Sequence, residues 1–159
     1  MNAREQAKPT PVAPSEGTPL ITPYGDRLVQ LLVDAEDARA LKEHASKLPS
    51  LQISARSLCD LELLATGAFS PLDRFMGEAD YTRVVEEMRL ADGTFYPMPL
   101  TLPVGDGDGI ALGKDIALRS PTNQLLGVMK IEELYPWDFA KEAQRVTGTL
   151  TRATRSFRK

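Results

Sequence analysis

The main spacing of apolar residues in this chain of 159 residues changes near Gly93, and this change limits the fold class. Before it, apolar residues recur every three or four positions, which is the pattern of a helix with one buried face. After it, apolar residues alternate with others, which is typical of strands. Helices followed by mainly antiparallel strands, with at least one early strand joining the sheet, predict an α+β domain rather than a parallel α/β domain.

Polar residues mark the starts of three predicted helices, because a side-chain oxygen at the N-cap satisfies a free amide of the first turn. The first helix follows Asp34 and ends before Pro49. The second follows Ser54 and runs to Gly67, and the third follows Asp138 and spans residues 139–146. Two more are expected, a short one over residues 71–76 and one over residues 81–88. The predicted buried stripes are Ala38, Leu41, Ala45 and Leu48, then Leu58, Leu61 and Ala65, and then Tyr81, Val84, Val85 and Met88. Because Cys59 and Leu63 occupy another side of the second helix, we expect that helix to be largely enclosed.

Strands are predicted where β-branched and other apolar residues are bounded by turn residues. The predicted strands are residues 28–33, 51–53, 98–104, 110–112, 115–119 and 124–131, with a turn at 105–109 and a tight reversal at 120–123. Residues 98–104 alternate with Pro97, Pro99 and Pro103, and a proline cannot donate to a ladder, so this segment is expected at a sheet edge.

The composition, 42% apolar and 26% charged, is that of one globular domain with a real core. Its apolar runs are far shorter than the roughly 20 residues of a membrane-spanning helix. Residues 1–18 contain Pro9, Pro11 and Pro14 but no apolar core of a secretory signal, and we expect a disordered arm. The single cysteine, Cys59, is compatible with a reducing compartment, so the expected location is the cytoplasm.

Charge is unevenly distributed along the chain. Residues 1–142 hold all 22 acidic residues but only 14 of the 19 basic ones, a net charge of −8. The remaining five basic residues lie in the last fifteen, so any nucleic-acid binding would fall on that short tail, which is weak evidence for it. A nucleic-acid partner is therefore not favoured.

Residues 54–76, with the sequence SARSLCDLELLATGAFSPLDRFM, carry the most specific motif of the chain. Together with residues 20–25 and 81–94, this block resembles the N-terminal domain of ATP sulfurylase, also called sulfate adenylyltransferase. The resemblance implies a PUA-like fold over residues 19–149, a partly closed β-barrel with packed helices. It also implies an origin in sulfate assimilation or reductive sulfur metabolism.

The same resemblance implies that this chain lacks the chemistry of the whole enzyme, which joins sulfate to the α-phosphate of ATP. In the family, a following domain performs that step with a Gln-x-Arg-Asn segment and a His-x-x-His segment. The only histidine here is His44, and no Gln-x-Arg-Asn string occurs. We therefore expect a non-catalytic domain that is inactive alone, with no catalytic, cofactor-binding or metal site and no cofactor. The complete family enzyme uses ATP with magnesium.

Four other features of the sequence could be either functional sites or parts of the structure. Asp106 and Asp108 lie in a glycine-rich turn, where a cation site is the minority interpretation. Cys59 is expected to be buried packing rather than a nucleophile paired with His44. Arg56 and Asp60 are spaced for an ordinary helical ion pair, although an arginine recurs there in the family. The loop Phe69-Ser70-Pro71-Leu72 is expected to insert Phe69 and Leu72 into the core, with docking onto a catalytic domain as the alternative.

Three positions depart from glycines that are usual in the family: Asp26, Ala68 and Arg74. Each adds a side chain where the backbone could require a positive φ, which aspartate tolerates best and arginine worst.

Residues 150–159 differ from the Thr-Asp-x-x-His-Pro segment that the family places at this point. A frame shifted by two nucleotides at the codon of Leu150 can encode Asp-Thr-Arg-His-Pro, which matches that segment. One hypothesis is thus an out-of-frame, divergent basic tail on a chain truncated before the catalytic domain, and the alternative is a native basic terminus. Genomic DNA beyond codon 149 that encodes no such motif in any frame would exclude the first.

Three functions follow from these observations. The first is the non-catalytic N-terminal domain of a sulfate adenylyltransferase. The second is a free-standing PUA-like module that binds RNA, by fold analogy alone. The third is an assembly module that associates with a catalytic domain or with itself, because a module without its partner exposes apolar surface.

Overall fold

The computed structural model describes residues 22–105 and 109–148. Its helices are α1 (Ala35–Ala45), α2 (Ala55–Ala65), α3 (Glu78–Glu87) and α4 (Phe139–Thr147), and a short 3-10 turn spans Tyr24–Asp26. Its strands are β1 (Ser50–Gln52), β2 (Asp115–Arg119) and β3 (Leu125–Lys130). The expected arm at residues 1–18 and the tail at 150–159 lie outside the described residues, as do Asp106 and Asp108.

The three predicted N-caps are confirmed. The carboxylate of Asp34 accepts from the amides of Glu36 and Asp37, each at 2.9 Å. The Ser54 hydroxyl accepts from the amide of the third residue of α2 at 3.0 Å. The carboxylate of Asp138 accepts from the amide of Lys141, the third residue of α4, also at 3.0 Å. Each cap satisfies amides that the first helical turn leaves without a carbonyl, so these helices begin where their own sequences direct.

The predicted buried stripe of helix α3 is confirmed with one exception. Tyr81, Val84 and Val85 are buried, whereas Met88 is half exposed. Met88 has a left-handed backbone (φ 56°) and ends the helix, which removes its side chain from the helical face. The N-terminal helix α1 stops early, at Ala45 rather than just before Pro49. Its predicted buried stripe is wrong in part, since only Ala45 is buried, Ala38 and Leu48 are partly buried, and Leu41 is exposed.

The sheet has the order β1-β2-β3, with β2 in the centre. The first strand runs parallel to β2, with Leu51 opposite Leu118, and β3 runs antiparallel to β2, with Ile116 opposite Met129. The predicted early strand therefore joins the sheet, and the reversal at residues 120–123 is confirmed, with Asn123 at φ 66°. Within the described residues this mixed sheet is open rather than closed into a barrel, and the α+β class is confirmed.

Three predicted strands are wrong. Residues 28–33, 98–104 and 110–112 belong to no strand in the described part of the chain. The amide of Leu31 donates to the carbonyl of Ala65 at the end of α2, so that segment is held by a helix end. Prolines before and within residues 98–104 remove amides that a strand ladder needs. The carbonyl of Leu100 accepts instead from the amide of Met76. A strand needs a partner strand, which local periodicity does not supply.

The predicted short helix over residues 71–76 is also wrong, since the chain there forms turns and bends. The amide of Leu72 donates to Phe69 three residues earlier, and the amide of Met76 donates to the distant carbonyl of Leu100. These bonds take the place of the i to i−4 bonds that a helix requires.

Two groups of buried side chains form the core. The first surrounds α3 and consists of Leu64, Leu72, Met76, Tyr81, Val84, Val85, Leu90 and Leu100. The second lies on the sheet and consists of Leu51, Ile53, Ile116, Leu118 and Ile131. Helix α2 contributes to both, because Leu64 belongs to the first group while Leu58 and Leu61 pack against the second. The opposite side of α2 is open, so the prediction of a largely enclosed helix is wrong.

Candidate functional site

The chain's only histidine has a structural partner. His44, near the end of α1, lies with its Nε2 atom 3.1 Å from the Oδ2 atom of Asp115, the first residue of β2. Both side chains are about half exposed, so the contact ties a helix to the sheet at the surface. Among the described residues, no group of three or more His, Cys, Asp or Glu side chains could hold a metal ion.

Cys59 is exposed, so the prediction of buried packing is wrong. Its position on α2 faces away from the sheet side that Leu58 and Leu61 cover. The thiol-nucleophile interpretation gains no support either, because no hydrogen bond joins Cys59 to His44 in the described part of the chain.

Arg56 and Asp60 form the predicted ion pair on α2. The Nε and Oδ2 atoms are 3.9 Å apart, and the arginine is two-thirds exposed. Partial burial raises the pKa of the Asp60 carboxyl, and the nearby Arg56 opposes that rise. This geometry gives Arg56 a local partner on its own helix and an interaction worth only a few tenths of a kcal/mol.

The loop of residues 69–72 packs into the core, as predicted. Leu72 is buried and Phe69 packs against the same cluster. Between them, the buried Ser70 hydroxyl donates to the carbonyl of Gly67 at 2.7 Å and accepts from the amide of Val29 at 3.0 Å. The loop therefore fastens residues 28–33 to the end of α2, a role that sequence reasoning did not detect.

The three unusual replacements of glycine behave differently from one another. Asp26 has a positive φ of 59°, whereas Ala68 and Arg74 are not among the residues with positive φ. Of the three positions where a positive φ was considered, only that of Asp26 has one, and aspartate is the residue expected to tolerate it best. The Arg74 guanidinium instead binds the carboxylates of Asp73 and Glu132, which joins this turn to the residues after β3.

Arg74 stands at the centre of an exposed charge network. Its Nε atom donates to the Asp73 carboxylate at 2.8 Å, and Arg27 lies 3.7 Å from the same carboxylate. The hydrogen bond from Arg74 is the main reason that the pKa of Asp73 lies below its usual range. Because these guanidinium groups already have carboxylate partners, they are poor candidates for an anion site.

A cleft of about 770 Å³ lies between α3 and the residues that follow β3. It is lined by Glu78, Ala79, Thr82, Arg83, Leu112, Glu132, Glu133 and Leu134. The Arg83 guanidinium is occupied by Glu87 and by the carbonyl of Ala91. Three carboxylates and a neutralised arginine repel phosphate and sulfate, so the cleft does not suit a nucleotide.

Glu133 has a second role, as the cap of α3. The N-cap residue Gly77 has no side chain, and the amide of Glu78 donates instead to the Glu133 Oε2 atom at 2.8 Å. A carboxylate at this position also interacts favourably with the helix dipole. Local sequence patterns do not predict this cap, because the two residues that form it are 55 positions apart.

Replacing Gly77 with alanine is expected to lower the free energy of unfolding by about 1 kcal/mol, the value of a helix cap. An added Cβ atom would lie 2.7 Å from the Glu133 Oε2 atom and would displace that carboxylate. Urea unfolding followed by circular dichroism measures the loss. Glu133→Ala should cost a similar amount, and the double variant should cost no more than either single one. Additive losses would contradict the shared mechanism.

Tyr135 and Tyr81 lie behind this cap, with ring centroids 5.4 Å apart. The Tyr135 hydroxyl donates to the carbonyl of Met76 at 2.7 Å. Burial, together with the nearby Glu133 and other carboxylates, raises the pKa of Tyr135 to about 12. The phenol is therefore a neutral donor in the core and not an acid-base group at neutral pH.

Exposed apolar side chains are the other prominent surface feature. On residues 28–33, four of them are well exposed: Leu28, Leu31, Leu32 and Val33. Leu63 of α2 is also 43% exposed. Apolar patches of this kind mark contacts with other proteins more often than binding sites for small polar ligands. None of the helices in the described part of the chain is both long and apolar enough to span a membrane.

Comparison with known proteins gives consistent matches. A family model described as the PUA-like domain matches residues 21–154. Sulfate adenylyltransferase of Symbiobacterium thermophilum is 41% identical over 131 residues, which cover 81% of this chain and 33% of that protein. Sulfate adenylyltransferase of Phaeosphaeria nodorum is 44% identical over 132 residues, 79% of this chain and 23% of that protein. These relatives confirm the resemblance carried by residues 54–76.

A solved structure agrees with these matches. The hexameric APS kinase from Thiobacillus denitrificans has a TM-score of 0.67 and 39% identity, over 74% of this chain and 24% of that chain. The chain thus spans a third or less of the length of the relatives it matches.

Proposed function

Because the chain belongs to the family of PUA-like domains, we propose that it is the N-terminal, non-catalytic domain of a sulfate adenylyltransferase. That enzyme converts ATP and sulfate into adenylyl sulfate and pyrophosphate. In this proposal residues 19–149 form the domain, residues 1–18 an arm and residues 150–159 a divergent basic tail. The protein acts in the cytoplasm, in sulfate assimilation.

One observation carries the proposal: identity near 40% extends over about four fifths of this chain but over a third or less of the sulfate adenylyltransferases. The chemistry of the described side chains supports the same division of labour. Adenylyl transfer needs positioned cationic donors around the α-phosphate. Here the single histidine is paired with Asp115, and the cleft beside α3 is lined by carboxylates.

The purified chain is expected to form no ATP from adenylyl sulfate and pyrophosphate in the presence of magnesium. A luciferase assay measures this reverse reaction, with the complete Symbiobacterium enzyme as the positive control. ATP formation at enzyme-like rates would overturn the proposal that the chain is non-catalytic.

A domain exchange tests the scaffold role directly. Residues 19–149 would replace the matching segment of the Symbiobacterium enzyme, and the hybrid is expected to keep measurable activity. A hybrid carrying Gly67→Ala serves as a control with a damaged domain. A folded but inactive hybrid would contradict the assignment.

Self-association is a second candidate function, and the exposed apolar side chains of residues 28–33 favour it. The solved relative at 39% identity is described as hexameric, which supports assembly as a property that this domain could share. Sedimentation velocity over a range of concentrations tests it.

A further inference from the structure

We propose that residues 28–32, which belong to no strand of the sheet, present an unpaired backbone edge through which two copies of this chain associate, antiparallel and centred on Gln30. The proposal rests on the second candidate function, self-association, and names its surface. It is independent of the adenylyltransferase assignment.

The hydrogen bonds of this segment alternate. The amide of Val29 donates to the Ser70 hydroxyl at 3.0 Å, and the amide of Leu31 donates to the carbonyl of Ala65 at 2.9 Å. The residue before the segment, Arg27, has an extended backbone (φ −135°, ψ 119°). In an extended chain the amides of alternate residues point to opposite sides. The odd-numbered amides therefore face the protein and the even-numbered amides face away from it.

The outward side of the segment has no partner within the described residues. There, the amides of Leu28, Gln30 and Leu32 make no hydrogen bond. Three successive outward amides with their carbonyls are the equivalent of an open sheet edge, which pairs readily with another extended chain.

The side chains of the segment offer little protection against such pairing. Leu28 is 54% exposed and Leu32 is 67% exposed. Between Arg27 and Asp34 the sequence contains no charged residue and no proline. Natural edge strands usually carry a lysine, a proline or a bulge that prevents association, and this segment contains neither lysine nor proline.

The segment is complementary to itself. Hydrogen-bonded pairs in an antiparallel ladder must be formed by the outward residues, and the twofold axis can pass through such a pair or through the pair between two of them. An axis through Val29 or Leu31 would pair only two outward residues of each copy. Centring on Gln30 places Gln30 opposite its own copy and Leu28 opposite Leu32 of the second copy. All three outward residues of each copy then find partners, and no charge is brought opposite another within the ladder. A second copy is therefore the occupant that fits this edge.

A disulfide trap tests the register. In a Cys59→Ser background, Gln30→Cys places the two introduced thiols in one hydrogen-bonded pair, where Cα atoms lie about 5.5 Å apart, within the range of disulfides. Leu28→Cys is the matched control, because its two copies would be displaced by four residues, about 13 Å along the strands. Under mild oxidation the first variant should form covalent dimers at least tenfold faster than the second. Equal rates would overturn the register.

A proline substitution tests the edge itself. Gln30→Pro removes an outward amide but leaves both inward bonds, and proline is compatible with extended backbone. Sedimentation velocity should show loss of the dimer, and the melting temperature should be unchanged at a dilution where the wild type is monomeric. Leu31→Pro is the control, because it removes an inward bond and should lower the melting temperature.

The outcomes separate the two proposals. A wild-type chain that associates, with association unaffected by Gln30→Pro, overturns the edge and leaves self-association standing. A wild-type chain that is monomeric at all concentrations overturns both. Neither result bears on the catalytic assay.

Discussion

Gly67→Ala is expected to lower the free energy of unfolding by about 2–4 kcal/mol, because it combines backbone strain with a steric clash. Gly67 follows α2 with φ at +87°, a region that costs a residue with a Cβ atom about 1–2 kcal/mol. The added Cβ would lie 2.5 Å from the carbonyl oxygen of Val29 and 2.8 Å from the Leu28 Cδ1 atom. Since the first of these is backbone, residues 28–29 would have to move and would strain the bond from Val29 to Ser70.

Gly93→Ala separates the two effects. Gly93 has a similar φ of +93°, but no atom lies within 4 Å of the Cβ that alanine would add. The free energy of unfolding of the Gly93→Ala variant should therefore fall only by the cost of backbone strain, about 1–2 kcal/mol. Urea unfolding monitored by circular dichroism compares both variants with the wild type. Equal losses would contradict a close contact between Gly67 and the segment at residues 28–29.

Leu64→Ala is expected to cost about 2–5 kcal/mol, the usual range for a leucine deleted from a close-packed core. Its side chain is only 2% exposed and is among the largest that are fully buried. It lies on α2 and packs in the cluster around α3, so its removal leaves a cavity that neighbouring elements cannot easily fill.

The adjacent residue provides the matched control. Leu63 lies on the same helix and is 43% exposed. Leu63→Ala makes the same chemical change with the same effect on helix propensity, and should change the free energy of unfolding by less than about 1 kcal/mol. Thermal and urea unfolding measure both. Similar losses in the two variants would contradict the orientation of α2.

The features that local chemistry determines could be predicted from the sequence. Asp34, Ser54 and Asp138 begin their helices because each satisfies amides two or three residues ahead. The stripe of α3 and the reversal before β3 are likewise set within a few residues. The family resemblance depended on the uninterrupted block at residues 54–76 and did not require any structural detail.

Features that depend on distant partners could not be predicted. Residues 28–33 have the composition of a strand, yet their amides bind a helix end and a serine hydroxyl from other parts of the chain. Cys59 stands among leucines in the sequence but on the uncovered side of α2. The cap that Glu133 supplies to Glu78 joins residues 55 positions apart, which no local pattern reveals.

The parallel pairing of β1 with β2 determines the order in which the molecule can fold during synthesis. The strand at Ser50–Gln52 leaves the ribosome before its partner at Asp115–Arg119 has been translated. At about 5–20 residues per second, the delay is roughly 3–12 s, far longer than helix formation. All buried residues of the cluster around α3 lie between residues 64 and 100, so this cluster can form during the interval. The buried cluster around α3 can therefore form before the sheet, which waits for β2 and β3, and α4 is added after them.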